Sequence, residues 1–266
     1  MPPAAITLDH VSLCYRLAHQ RIPSFKEYAI HWVQGALVYE KFWALTDLSL
    51  SIAPGEAVGI IGRNGAGKSS LLKVVSAVLE PTKGRCDVRG RVAPILELGT
   101  GFDSELTGRE NIFLNALLLG RTRREVQEKA DSIVEFSELA AFIDSPLRTY
   151  STGMVARLGF AIATAWVPEV LILDEVMAVG DSAFNQKCLD RFELFRRSGT
   201  TVLLVTHAPD IVRSSCTRCV WLAGGKMMAD GPPDEVLSGY LESAAASATP
   251  PSAPPVLESP APLRPA

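Results

Sequence analysis

Apolar residues alternate loosely from Ala5 to Tyr15, through Ile6, Leu8, Val11 and Leu13, and again from Trp43 to Ile52. That period predicts two strands. Between them the period changes. Phe25, Tyr28, Ala29, Trp32, Val33, Ala36 and Leu37 recur at helical spacing, with Lys26, Glu27, His31 and Gln34 off the stripe. A short amphipathic helix over about 22–38 is expected, opened by Pro23-Ser24. From Ala57 onward strands and helices alternate: a buried strand at Ala57–Ile61, a helix at Gly67–Val78, a strand at Arg91–Leu98. Helical patterns then fill Gly108–Ala165 and suggest an inserted helical subdomain, about 99–165. Strand character returns at Val170–Leu173 and Thr201–Val205, and a hairpin across Gly224-Gly225 joins Val220–Ala223 to Lys226–Ala229. Such alternation predicts an α/β fold around a parallel sheet.

Beyond Glu242 the pattern fails. Alanine, serine and proline dominate, and seven of the eighteen prolines lie between Pro250 and Pro265. Such a segment buries too little apolar surface to offset its ordering entropy. We therefore expect one domain over 1–245 and a disordered tail over 246–266.

Composition narrows the partners. At 266 residues and 47% hydrophobic, the chain can bury a full core. A net charge of −3 offers no global basic field for nucleic acid. Five scattered cysteines suit a reduced cytosolic protein, and Cys216-Thr217-Arg218-Cys219, without a second pair, reads as packing. Met1-Pro2-Pro3 leads into a strand with no secretory pattern. The most apolar stretch, Leu158–Leu173, is interrupted by Pro168 and Glu169, short of the roughly 20 apolar residues a bilayer span needs. Any membrane role is thus expected to run through a partner.

The chemistry is concentrated in a few short motifs. Gly62-Arg63-Asn64-Gly65-Ala66-Gly67-Lys68-Ser69 fits the phosphate-loop pattern and lies between a predicted strand and a predicted helix. Glycines let backbone N–H groups curl around phosphates, and the helix N-terminus adds a favourable dipole. Lys68 is expected on the β- and γ-phosphates and the Ser69 hydroxyl on Mg²⁺, with Gly62, Asn64, Gly65, Ala66, Gly67 and Ser70 completing the ATP cradle. Val170–Leu173 ends in Asp174 and Glu175. Asp174 is expected to hold the Mg²⁺ and Glu175 to orient or deprotonate the attacking water. His207 follows the next apolar strand, at the carboxyl edge where open α/β sheets bind ligands, and could contact the γ-phosphate.

Tyr150-Ser151-Thr152-Gly153-Met154 precedes a long helix. By itself Ser151 could be merely an N-cap. Together with the phosphate loop, the acidic strand, Ala178-Val179-Gly180-Asp181 and His207, it makes the chain resemble the nucleotide-binding domains of ABC transporters, from Ile6 to about Leu241. The resemblance implies a RecA-like P-loop core, an N-terminal antiparallel β subdomain and an inserted helical subdomain. It also implies a homodimer in which ATP lies between one subunit's loop and the other's signature, so that Ser151 and Gly153 touch the γ-phosphate held by the partner's Lys68; Thr152 and Asp181 are expected among the nucleotide-binding residues. Tyr15 matches the aromatic that stacks on adenine, with Trp43 as the alternative. Two positions depart from the family pattern. Thr152-Gly153-Met154 replaces the usual Gly-Gly-Gln, and Glu97 stands where a glutamine usually senses Mg²⁺.

Leu96–Phe102, Leu106–Ile112 and Asp174–Asp181 are similar to one branch, the ATP-binding subunits of O-antigen, capsular polysaccharide and teichoic acid exporters. Membership there implies an ATPase at the cytoplasmic face of the inner membrane, working with a permease in a 2+2 assembly to export lipid-linked polysaccharide. A soluble ABC ATPase and a small-molecule kinase are the alternatives. Without a basic patch, coiled-coil insert or duplicated cassette the first is disfavoured, and Ser151–Gly153 speaks against the second.

Overall fold

The computed structural model describes residues 3–18, 39–95, 98–174, 181–206 and 208–247. In chain order these form β1 (Ile6–Ala18), β2 (Tyr39–Ile52), β3 (Ala57–Ile61), α1 (Lys68–Val75), β4 (Lys83–Val88), β5 (Val92–Ile95), α2 (Gly108–Leu118) and α3 (Arg123–Ser137). They continue with α4 (Thr152–Ala163), β6 (Val170–Asp174), α5 (Ser182–Arg197), β7 (Thr201–Val205), α6 (Pro209–Ser215), β8 (Arg218–Ala223), β9 (Lys226–Gly231) and α7 (Pro233–Ser247). The expected tail at 246–266 begins too early, since Ala246 and Ser247 close α7; the rest of it, the expected helix at 22–38, and the expected site residues Glu97, Glu175 and His207 lie outside the described residues.

Two sheets organise the chain. One is three-stranded and antiparallel, in the order β2-β1-β4; the other is six-stranded, in the order β5-β6-β7-β3-β8-β9. In the larger sheet every pairing is parallel except the β8–β9 hairpin, whose turn residues Gly224 and Gly225 have φ of 55° and 76°. Left-handed backbone at both central positions matches the strand twist of a two-residue hairpin, which is why glycines occupy them. Strands β3, β6 and β7 are apolar runs without alternation because helices cover both faces of a parallel sheet. All five residues of β3 are buried.

Three cores result. One lies between the antiparallel sheet, α1 and one face of the large sheet, around Ile6, Leu45, Ile60 and Leu72. The opposite face packs on α5, α6 and α7 through Phe184, Phe195, Val212 and Leu237. A third, built from Ile112, Val126, Ile133, Leu158 and Ile162, belongs to the helical region. Each fully buried side chain of this size stabilises by about 1.5–3 kcal/mol through burial.

Local signals set the helix ends. Thr107 with Glu110 and Thr122 with Glu125 form reciprocal capping boxes at α2 and α3. Helix α1 stops at Val75, short of the expected Val78, where Ser76 caps it and Ala77 turns to φ 57°. Asn111 is wholly buried, and its amide N–H groups donate to the carbonyls of Asp103, Leu106 and Thr107, pinning the loop before α2.

Candidate functional site

The turn from β3 into α1 is shaped by glycines that no other residue could replace. A Cβ on Gly62 would stand 2.3 Å from the Leu222 carbonyl oxygen, and one on Gly67, at φ 105°, would stand 2.6 Å from that of Ala44. The loop is thus pressed between β2 and the β8–β9 hairpin. Gly67 occupies the N-cap of α1 without any side-chain cap bond, so no side chain competes for the N–H groups of the first turn. These donors and the positive end of the helix dipole favour an anion.

Asn64, Gly65, Ala66, Gly67, Lys68, Ser69 and Ser70 line one cavity of about 470 Å³, together with Asp174, Phe42 and Ala44. Lys68 is 7% exposed; its ammonium donates to the Gly62 carbonyl at 2.7 Å and the Arg63 carbonyl at 3.2 Å. Asp174, at the end of β6, enters from the neighbouring side of the sheet because β6, β7 and β3 lie in that order. A cation, backbone donors, a hydroxyl and a carboxylate therefore face one volume. That set suits a nucleotide triphosphate: Lys68 and the loop can hold the phosphates, and Ser69 and Asp174 are oxygen donors of the kind a divalent cation takes.

The aromatic wall departs from expectation. Tyr15 is half-buried, its ring packs against the first core, and its hydroxyl lies 3.3 Å from Ser70 Oγ. It does not line the cavity; its cross-strand partner Phe42, 50% exposed, does. Trp43 points to the other face of β2, where Lys83 sits 5.4 Å from its ring. Sequence reading missed Phe42 because register shifts near Leu13 and Cys14 decide which aromatic reaches the cavity.

Ser151, Thr152 and Gly153 lie apart from that cavity. Ser151 caps α4, its hydroxyl accepting from the Met154 N–H at 3.2 Å, and Tyr150 donates to the Phe142 carbonyl at 2.7 Å. Ser151 and Thr152 are exposed, and none of the three lines the cavity holding Lys68. Nor does Asp181 line it; it caps α5 by accepting from the N–H groups of Ala183 and Phe184, and it pairs with Arg157 at 2.6 Å. The Phe184 amide first, and Arg157 after it, hold the Asp181 carboxyl below the usual range. Arg157 is a further residue that sequence reading passed over, although it lies on the helix that Ser151 opens.

The sequence over residues 45–178 matches the family model described as ABC transporter. An O-antigen export system ATP-binding protein, RfbB of Klebsiella pneumoniae, is 44% identical over 242 residues, covering 90% of this chain and 98% of that one. The chain belongs to the ABC transporter family. A teichoic acids export ATP-binding protein, TagH of Lactococcus lactis, is 45% identical over 199 residues, 75% of this chain and 42% of TagH. The dimeric, post-hydrolysis structure of an ATP-binding cassette with ADP and Pi superimposes with a TM-score of 0.66 at 22% identity, covering 86% of this chain and 98% of the cassette. This chain thus has the ABC ATPase fold and is an ATP-binding subunit of the family. Among the described residues no helix is long and apolar enough to cross a membrane.

Proposed function

We propose that the protein is the ATPase of an exporter of lipid-linked polysaccharide of the O-antigen type, acting at the cytoplasmic face of the inner membrane. Identity to the Klebsiella pneumoniae O-antigen export protein across almost the whole of both chains carries this reading. Teichoic acid export is the second reading. It is less favoured because the alignment spans under half of TagH, whereas it spans nearly all of RfbB.

Two copies close over two ATP molecules. The phosphate cradle and the Ser151–Gly153 cap are separate in one subunit, and a second copy lets each cap complete the other's cradle. Lys68 and the loop amides hold the phosphates, Ser69 and Asp174 hold Mg²⁺, and Phe42 faces the base. Water attacks the γ-phosphorus, its proton passes to Glu175, and the bond to the β–γ bridging oxygen breaks to give ADP and phosphate. His207 serves the γ-phosphate, and Glu97 stands in for the glutamine that usually senses Mg²⁺.

A permease completes a 2+2 assembly. An apolar groove of about 350 Å³ between α1, β5 and α2, lined by Val78, Leu98, Leu118 and Leu119, supports a docked partner. Val78 and Leu118 are 62% and 66% exposed there. Open apolar surface of this kind marks interaction sites.

The test is Glu175→Gln expressed in place of the native gene. The variant should keep ATP, hydrolyse it at least about 100-fold more slowly, and leave lipid-linked polymer inside the membrane with a bare surface. A normal surface coat would reject polysaccharide export. Hydrolysis at the native rate would reject Glu175 as the base.

A further inference from the structure

Arg157 sits on α4, six residues beyond Ser151, and is 19% exposed. Its guanidinium meets three groups on two other helices. One nitrogen lies 2.6 Å from Asp181 Oδ2, another 3.1 Å from Glu138 Oε2, and the plane lies 5.0 Å from the Phe184 ring centre. Each partner is itself fixed. Asp181 caps α5, and Glu138 is the left-handed C-cap of α3 and also pairs with Lys187 of α5. Behind the charges, Phe136, Phe160, Phe184 and Phe192 pack in edge and stacked contacts. Arg191 closes the far end, over Phe136 and donating to the Thr164 carbonyl at 2.9 Å.

An isolated surface ion pair contributes little. A guanidinium that reads two carboxylates and a ring together is different, because its planar fork accepts only one arrangement of all three. Here the arrangement joins the helix that Ser151 opens to the first turn of α5, which Asp181 caps.

We propose that Arg157 is a positioning residue for ATP hydrolysis: it locks Asp181 and the start of α5 to the Ser151 helix, so that the two segments offered to the partner's nucleotide move as one. The inference rests on the roles proposed above for Ser151, Asp181 and Glu175. Arg157 touches no substrate, and its effect passes through Asp181. Loss of the lock should therefore slow turnover without loosening the cradle around Lys68.

The test is a mutant cycle on the full chain with Arg157→Gln, Arg157→Lys, Asp181→Asn and the Arg157→Gln/Asp181→Asn double variant. Rates at varied ATP and thermal melts are measured for each. Arg157→Gln should lower kcat about tenfold or more, with KM for ATP within about twofold of native. Arg157→Lys, which keeps charge but not the fork, should recover less than about a third of the lost rate. The double variant should be no slower than the slower single one, as coupled residues require. Native kcat in Arg157→Gln, a rise in KM alone, or losses that multiply in the double variant would each overturn the proposal. Should Arg157→Gln fail to fold, Arg157→Lys decides: native kcat refutes the lock, and a lowered kcat at unchanged KM and melting temperature supports it. Glu175→Gln, assayed alongside, separates the two layers. If it hydrolyses ATP normally, the functional reading fails; if it is inert while Arg157→Gln is native, only the lock fails.

Discussion

The two halves of the expected nucleotide site are built in opposite ways. At the two ends of the phosphate loop the backbone is confined, with Gly62 and Gly67 leaving no room for a methyl group, while Gly65 between them faces open space. At the other half, a Cβ on Gly153 would meet nothing nearer than Ser151 Oγ at 3.9 Å. In the proposed dimer, one subunit would supply the phosphate cradle and the other an open signature to complete it. On that proposal, constraint inside the fold marks what the chain would supply to its own ATP, and exposure what it would supply to a second copy.

The largest effect should come from the confined half. Gly62→Ala places a methyl group against the Leu222 carbonyl in a backbone region that favours glycine, costing about 2–5 kcal/mol. Urea unfolding would measure this, and nucleotide binding should vanish with it. Gly153→Ala sharpens the contrast. Stability should hold or rise by up to about 1 kcal/mol, since alanine suits a helix better than glycine, whereas ATP turnover should fall about tenfold or more. Equal destabilisation at the two glycines would erase the distinction between the two halves.

The smallest effect concerns a helix cap remote from the cavity. The Thr122 backbone N–H, then its hydroxyl, hold the Glu125 carboxyl down at about 2, with Arg91 adding to it. A depressed folded value stabilises above the ordinary carboxylate range and is lost as pH falls through the folded value. The urea midpoint of Glu125→Gln should lie slightly below native at pH 7, and the gap should close between about pH 4.5 and pH 2. A gap that persists at pH 2 would place the effect in packing rather than charge.

Much of the fold was legible in advance because it is written in neighbours along the chain. Apolar runs located β3, β6 and β7, and the glycine pair Gly224-Gly225 marked the hairpin; the Thr-x-x-Glu patterns at the starts of α2 and α3 went unread. Boundaries were harder. The β1 and β2 strands extend to Ala18 and from Tyr39, past the points where alternation fades, since pairing to a neighbour continues after the side chains stop alternating.

By itself the sequence determined the phosphate loop, the acidic end of β6, the α/β alternation and the family, all of which depend on residue types at fixed local spacing. Only the tertiary structure decided that Phe42, not Tyr15, lines the cavity, that Ser151 stands apart from Lys68, and that Arg157 gathers Glu138, Asp181 and Phe184. Those contacts join distant segments, and a single register shift between β1 and β2 changes which side chains meet, so no local pattern encodes them.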